Sequence, residues 1–336
     1  MATLLPVPDV VDEHGYVPVI SLAGAEDPRQ RETIAHQLGD ALRRSGFYIV
    51  VDHDVPRRLF DDFCAAALGF FRQDTAVKQA VGPVPGDVTR RGWTTRYRAA
   101  AGIGLNTEED AAESWTMNPY DPALGWRDLA SLAPGVRAGI VHPNRFPPVP
   151  GFRAAIPYFL AMEGQLLTLL ALHAIDLGLP SDHFARLCTE SLTNLAANYY
   201  PSRRQVPGPD TSCLGPHTDL GIMTALIHSG QRGLQVIDQQ HPDRWVPVPT
   251  VPGGIVVNAG DQLVIVSGGR YRSAFHRVVC DDMEERVSVP VFMQPGPGKV
   301  IAPACPPPPG EAGFEPVDAW EFFVRRMGIM YEPAPD

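Results

Sequence analysis

Leu195-Ala196-Ala197-Asn198-Tyr199-Tyr200 is the first of eight short β-rich runs that follow Ser191, and together they decide the fold. The others cover residues 220–227, 234–238, 245–248, 255–258, 262–266, 275–279 and 287–293. Gly, Pro and Asp punctuate them, and strands of this length and spacing predict a sandwich, barrel or jelly roll.

The half before them reads differently. A short strand at residues 17–22 precedes a helix over 28–44, in which Ile34, Leu38 and Leu42 mark one buried face. Gly46 stops that helix, residues 47–51 form a strand, and a second helix covers 55–71. Residues 81–150 are rich in Gly, Pro and Arg with weak periodicity, as expected of a long irregular region carrying loops over a core. A strongly helical pattern returns over 152–178 and ends at Leu177-Gly178-Leu179-Pro180. A Pro-rich loop at 303–309 and a final helix near 317–327 close the chain. The expected fold is mixed α and β: a double-stranded β-helix (jelly-roll, cupin-like) core flanked by helices from the N-terminal half. Residues 1–150 form the N-terminal helical and strand region, 151–300 the core with its supporting helix, and 301–336 a C-terminal loop and helix that could serve as a lid.

A chain of 336 residues can bury a sizeable core, and 44% hydrophobic with 20% charged residues is ordinary for a globular protein. The 35 prolines and 31 glycines favour turns over long helices. A formal charge of −10 argues against nucleic-acid binding, which draws on basic patches. Met1 leads into Ala-Thr-Leu-Leu-Pro without the basic and apolar regions of a signal peptide. No stretch reads as the roughly 20 apolar residues that span a bilayer. Cys64, Cys188, Cys213, Cys280 and Cys305 are scattered, odd in number and never spaced C-x-x-C, which suits reduced thiols. A cytoplasmic monomer acting on a small molecule, with no nucleic-acid or membrane partner, is the expectation.

The chemistry lies in the β region. His217 and Asp219 form an H-x-D pair, and His276 follows 57 residues after Asp219. Residues i and i+2 of an extended segment share a face, so the pair can bind one ion together. A jelly roll can bring His276 beside them. Two imidazoles and a carboxylate form the facial triad suited to non-haem iron(II), with three coordination positions left open. Taken alone the pair is a weak signal, since a surface turn and a core histidine produce the same pattern. Arg286 and Ser288 add to it. They share a face of the last strand, and an inward arginine needs an anionic partner that its planar fork can grip; an edge-strand arginine in solvent is the alternative.

The ordered motifs resemble the isopenicillin N synthase-like group of 2-oxoglutarate/iron(II) oxygenases. They are Asn198-Tyr199-Tyr200-Pro201, Pro216-His217-Thr218-Asp219, Gly233-Leu234-Gln235-Val236, Val257-Asn258-Ala259-Gly260-Asp261, residues 269–278 and Glu285-Arg286-Val287-Ser288. Residues 17–22, Gly46-Phe47-Tyr48 and His53-Asp54-Val55-Pro56 resemble the start of the same family. Residues 81–85 with Arg90-Arg91-Gly92-Trp93 are similar to its bacterial expandase branch. The resemblance implies that His217, Asp219 and His276 hold Fe(II). It implies that Arg286 and Ser288 bind the distal carboxylate of 2-oxoglutarate, with Asn198 and Tyr200 near its chelating end. O₂ is the second co-substrate, and the implied reaction oxidises an aliphatic C–H bond by hydroxylation, desaturation or ring chemistry. The expandase-like segments suggest bacterial secondary metabolism, including antibiotic biosynthesis.

Candidate substrate contacts are Arg90, Arg91, Trp93, Trp115 and Met117 in the irregular region, Met223 and Thr224 after the metal motif, and Arg325 and Arg326 on the last helix. Two rivals remain at this point. One is an isopenicillin N synthase-type oxidase, whose Arg-x-Ser pair holds a substrate carboxylate; the other is a non-catalytic cupin-like metal-binding module.

Overall fold

A computed structural model describes residues 15–95, 110–202, 213–227, 232–279 and 284–331. The region around Met1 and residues 203–212 therefore lie outside the described residues. Strand β1 (Val19–Ser21) leads to helix α1 (Pro28–Arg44). The Asp27 carboxylate caps that helix by accepting from the N–H groups of Arg29 and Gln30, and Pro28 occupies the first turn. Ile34, Leu38 and Leu42 are buried, as their spacing predicts. Gly46 turns the chain at φ +74, and a Cβ there would stand 2.6 Å from the Arg272 carbonyl oxygen, so only glycine fits.

After β2 (Phe47–Val51) come α2 (Arg57–Phe71) and α3 (Thr75–Gln79). The stretch expected to be irregular contains strands β3 (Gly92–Thr94) and β4 (Glu113–Met117) and helix α4 (Pro134–Ile140). A 3₁₀ turn at Phe152–Ala154 runs into α5 (Ala155–Asp176), and α6 (His183–Leu187) precedes the β region. There follow β5 (Asn194–Tyr200), β6 (Leu214–His217), β7 (Met223–Ile227), β8 (Leu234–Ile237), β9 (Trp245–Pro247) and β10 (Ile255–Ala259). Residues 262–266, expected as a strand, belong instead to helix α7 (Asp261–Val266). A short apolar run cannot separate strand from buried helix by periodicity, and here the backbone N–H groups of Asp261 and Gln262 bond to Asp219 and Gly221. The chain ends with β11 (His276–Val278), β12 (Arg286–Met293), β13 (Val300–Ile301), β14 (Val317–Asp318) and α8 (Ala319–Tyr331).

Two main sheets form. The larger has the order β1-β2-β10-β7-β12-β5-β4-β3 and is antiparallel except at β1–β2. The smaller has the order β6-β11-β8-β9 and is antiparallel, while β13 and β14 pair apart from both. Period-two alternation divides the large sheet. Leu195, Ala197, Tyr199, Ala225, Val257, Val289 and Val291 face α1, α2 and α5 in one apolar core. Phe47, Ile49, Tyr200 and Val256 face the small sheet, where Leu214, Val236, Val246 and Val278 complete a second core. The result is a jelly-roll core with helices along one side of its larger sheet.

Two expectations need correction. Residues Phe152–Asp176 are long and apolar enough, by length and composition, to cross a membrane. In this fold Tyr158, Phe159, Met162, Leu166, Leu169 and Leu170 are buried against the sheet and neighbouring helices, which accounts for much of that apolarity. Cys64, Cys188 and Cys305 are free, but Cys213 is disulfide-bonded, so reduced thiols do not describe that cysteine. Burial pushes the Cys64 thiol up to about 11.

A polar network crosses the helical side. The Tyr271 hydroxyl donates to Asp176 Oδ2 (2.6 Å) and lies 3.1 Å from His173 Nδ1, while Tyr48 Oη lies 2.9 Å from His173 Nε2. One proton order satisfies it: Nδ1–H donates to Tyr271 and the Nε2 lone pair accepts from Tyr48. Burial accordingly depresses the His173 pKa to about 3. The unfolded chain protonates this imidazole below about pH 6.5 and the folded chain does not, so falling pH favours unfolding. Urea unfolding should show that His173→Gln lowers the loss of stability between pH 6 and 5 by about 1.2 kcal/mol. An unchanged slope would contradict the neutral buried imidazole.

Candidate active site

The small sheet supplies the imidazoles. His217 at the end of β6 and His276 at the start of β11 are cross-strand partners, and their ring centroids lie 4.2 Å apart. Each Nδ1 faces the carbonyl oxygen two residues earlier, Gly215 at 2.8 Å and Ala274 at 3.1 Å. A carbonyl only accepts, so each neutral ring carries its proton on Nδ1 and leaves an Nε2 lone pair. Phe47 packs edge-on against His276 at 5.4 Å between centroids.

The large sheet orients the carboxylate. Asp219 Oδ1 lies 3.9 Å from His217 Nε2 and 3.7 Å from His276 Nε2, and one ligand atom from each residue falls within 4.8 Å of the others. Asn258 Nδ2 donates to Asp219 Oδ2 at 2.7 Å, and Thr224, the cross-strand partner of Asn258, also bonds the carboxylate. Burial alone would raise the Asp219 pKa, but the two imidazoles, Asn258 and Thr224 hold it below the usual carboxylate range. Burial and the neighbouring His276 depress His217 to about 4, which leaves its ring neutral at neutral pH. Backbone packing fixes the same loop, since a Cβ on Gly260 would stand 2.2 Å from the Gly221 carbonyl oxygen.

Behind this triad, inward residues of β4, β5 and β12 form two cross-strand rows. Ser114, Asn198 and Ser288 make one row; Tyr200 and Arg286 make the next. Ser114 Oγ donates to Asn198 Oδ1 at 2.8 Å, which leaves the Asn198 amide N–H groups as donors. The Arg286 guanidinium lies over the Tyr200 ring, 4.5 Å from its centroid, and is 4% exposed. Its Nε has no hydrogen-bond partner, and burial lowers its pKa. Burial raises the Tyr200 phenol despite Arg286, Ser288 and Asn198 beside it.

Two cavities meet at the triad. The inner one lies between the sheets and joins His217, Asp219 and His276 to Asn198, Tyr200, Arg286 and Ser288. The outer one is walled by Ser114, Thr116, Asn194, Phe292, Gln294 and, from α8, Phe323, Arg326 and Met327. Of the proposed substrate contacts, the structure brings Thr224 to the inner cavity and Arg326 to the outer one.

The others lie elsewhere. Trp93, Trp115, Met117 and Met223 belong to the helix-facing core, because they occupy the outward positions of β3, β4 and β7. Trp115 packs 4.7 Å from Phe152 and donates Nε1–H to the Arg145 carbonyl, and Trp93 donates to Glu113. Arg91 is fully buried in a salt bridge with Asp87 (2.7 Å) and also donates to the carbonyls of Tyr120, Ile140 and His142. Arg90, at φ +53, lines neither cavity and accepts the Thr116 hydroxyl at its carbonyl; Arg325 is exposed. Sequence reading missed Ser114 and Thr116, although Glu113-Ser114-Trp115-Thr116-Met117 alternates clearly, and gave Asn258, Asp261 and Gln294 no role.

Residues 193–295 match the family model of the 2OG-Fe(II) oxygenase superfamily, and residues 17–147 match that of the non-haem dioxygenase in morphine synthesis N-terminal region. The chain is 30% identical over 291 residues to Protein DMR6-LIKE OXYGENASE 2 of Arabidopsis thaliana, covering 86% of this chain and 75% of that one. It is 28% identical to the 2-oxoglutarate-Fe(II) type oxidoreductase ppzC of Metarhizium majus, covering 94% and 86%. A full-length Neurospora crassa protein, crystallised with alpha-KG and thymine, superposes with a TM-score of 0.80 at 21% identity, covering 96% of this chain and 99% of that one. The chain belongs to the 2OG-Fe(II) oxygenase superfamily. It is a 2-oxoglutarate-dependent non-haem iron dioxygenase, using Fe(II), 2-oxoglutarate and O₂.

The placement of Arg91 has a measurable consequence. Asp87→Ala leaves the buried guanidinium without its salt-bridge partner, and urea unfolding should show a loss of about 3–5 kcal/mol. A loss below about 1 kcal/mol, the range of an exposed pair, would contradict its role as a buried strut.

Proposed function

We propose that this dioxygenase oxidises an aliphatic C–H bond of a small organic molecule, with His217, Asp219 and His276 holding the iron and Arg286 with Ser288 gripping the distal carboxylate of 2-oxoglutarate. The observation that carries this reading is Arg286. Its buried Nε lacks a partner at one end of a cavity whose other end is the triad. A buried charge without a counter-ion costs several kcal/mol, and a carboxylate offsets this through paired, charge-assisted hydrogen bonds. The donor set also fits iron(II), since two imidazoles and one carboxylate leave open positions for a chelating co-substrate and O₂.

When bound, the iron with 2-oxoglutarate and O₂ supplies the oxidising power, releasing succinate and CO₂. The chain's own residues orient and protect. The carbonyls of Gly215 and Ala274 aim the two Nε2 lone pairs, and Asn258 with Thr224 keeps Asp219 ionised. In this reading Asn198, from the row of Ser288, and Tyr200, from the row of Arg286, serve the chelating end of 2-oxoglutarate. Phe47, Leu226, Leu234 and Val278 line the inner cavity with apolar surface and limit the entry of water. The substrate occupies the outer cavity. Hydroxylation is the simplest outcome, with desaturation and ring chemistry open to the same site.

The two sheets form a double-stranded β-helix in this reading, with helices α1 and α2 as scaffold and helix α8 supplying a wall. A place in secondary metabolism belongs to the same proposal. The thymine bound by the Neurospora crassa protein and the plant and fungal relatives support a small organic substrate.

Anaerobic titration of the iron(II)-loaded protein with 2-oxoglutarate should produce the weak visible charge-transfer band of the chelate. Arg286→Gln should raise the half-saturating concentration by about tenfold or more, as expected for loss of a charge-assisted contact. Equal affinity in the variant would sink the assignment. Asn258→Ala should weaken iron(II) binding by about 10–100-fold in competition with a chromogenic chelator. Unchanged competition would mean that Asn258 does not position Asp219.

A further inference from the structure

The outer cavity has its own charge pattern, separate from the site for the co-substrate. Among the described side chains that line it, Arg326 is the only lysine or arginine, and the only carboxylate, Asp219, belongs to the triad. Arg326 Nη1 bonds Asp261 Oδ2 at 2.8 Å, whereas its Nε is buried without a hydrogen-bond partner. The Nε–H and the nearer N–H of Nη2 form the side edge of the guanidinium fork, which fits the two oxygens of a carboxylate. Asp261 occupies the other terminal nitrogen, so that edge remains for a ligand.

The rest of the cavity describes the ligand's body. Leu214, Leu220, Phe292, Phe323 and Met327 present apolar surface. Gln294 is 2% exposed, and its Oε1 has no partner, so it can take one hydrogen bond from a hydroxyl or N–H. One arginine already shared with an aspartate suits a monoanion better than a phosphate dianion, whose second charge would find no cation there.

We infer that the substrate is a monocarboxylic acid with an apolar body, its carboxylate held by the Nε/Nη2 edge of Arg326, and that Asp261 is the positioning residue for this anchor. The inference rests on the oxygenase reading for the metal and deepens it by naming the substrate class. Asp261 joins the anchor to the metal loop. Its Oδ2 also accepts from Thr218 Oγ1 at 3.2 Å, between two members of the triad, and its N–H donates to the Asp219 carbonyl at 2.8 Å. An acid group seated on Arg326 is thereby set at a fixed offset from the iron ligands. Packing of Phe323, Trp320 and Met327 with Tyr120, Ile140 and Leu192 holds α8 in place on the other side.

The test uses anaerobic, iron(II)-loaded protein saturated with 2-oxoglutarate, so that the Arg286 site is filled. A panel of matched pairs, each an aliphatic or aromatic monocarboxylic acid and its primary amide, is offered by equilibrium dialysis and read by mass spectrometry. Acids should be retained over their amides by about tenfold or more, the range of a charge-assisted contact. Arg326→Gln should abolish that preference, Arg326→Lys should keep part of it, and Asp261→Asn should weaken it. Retention of no acid, equal retention of acids and amides, or a preference that survives Arg326→Gln would overturn the inference. The 2-oxoglutarate band is recorded on every variant. A wild type without the band counts against the co-substrate reading, whereas loss of acid preference with the band present counts against this one. If Arg326→Gln fails to fold, Arg326→Lys carries the comparison, and full wild-type preference in it overturns the use of the fork.

Discussion

A guanidinium buried between two β-sheets, its Nε without a hydrogen-bond partner and no salt bridge to it among the described residues, is the constraint around which this molecule is arranged. Arg286 sits on an inward position of β12 and contacts an aromatic ring, yet its Nε makes no hydrogen bond. Stability alone does not account for such a residue, since an apolar side chain of similar volume would pack there without the cost of desolvating a charge. The cost becomes intelligible once the cavity is treated as a receptor for an anion. The neighbouring Ser288, Asn198 and Tyr200 then supply polar groups along the path to the triad.

The fold makes this arrangement possible through the two-residue period of its strands. On β5 and β12 the odd positions are apolar and pack under α1, α2 and α5, while the even positions carry the polar groups. The triad itself is divided between the sheets. The imidazoles come from paired positions on the small sheet, and the carboxylate is held by Asn258 and Thr224 of the large one. Relative movement of the sheets would open the triad, so the apolar core between them also maintains its geometry. On the far side, α8 closes the outer cavity and is tied to the metal loop through Asp261 and Arg326.

Much of this was legible beforehand, for identifiable physical reasons. The helix at Pro28–Arg44 declares itself by its apolar stripe and its terminal signals, and the strands after Ser191 by their turn residues. The triad was legible because histidine is infrequent and the H-x-D spacing is fixed, and the Arg286–Ser288 pair because a charged residue alternates with apolar ones on a buried strand. Other features were obscured. β4 alternates cleanly, but its large and conspicuous residues, Trp115 and Met117, serve the helical core, while the small Ser114 and Thr116 face the cavity. Leu263-Val264-Ile265-Val266 reads as a strand because an apolar run is equally compatible with a short buried helix. Arg91 looked available for a substrate, and its pairing with Asp87 and three carbonyls depends on contacts that only the folded chain assembles.

In the proposed reading Arg286 serves an anion and not the fold. The most direct test is the unfolding free energy of the iron-loaded protein and of Arg286→Leu, each measured by denaturant with and without 2-oxoglutarate. Arg286→Leu alone should be as stable as the wild type or more so, and 2-oxoglutarate should stabilise only the wild type. A variant several kcal/mol less stable in the absence of 2-oxoglutarate, and still stabilised when it is added, would show that Arg286 is structural and contradict the account.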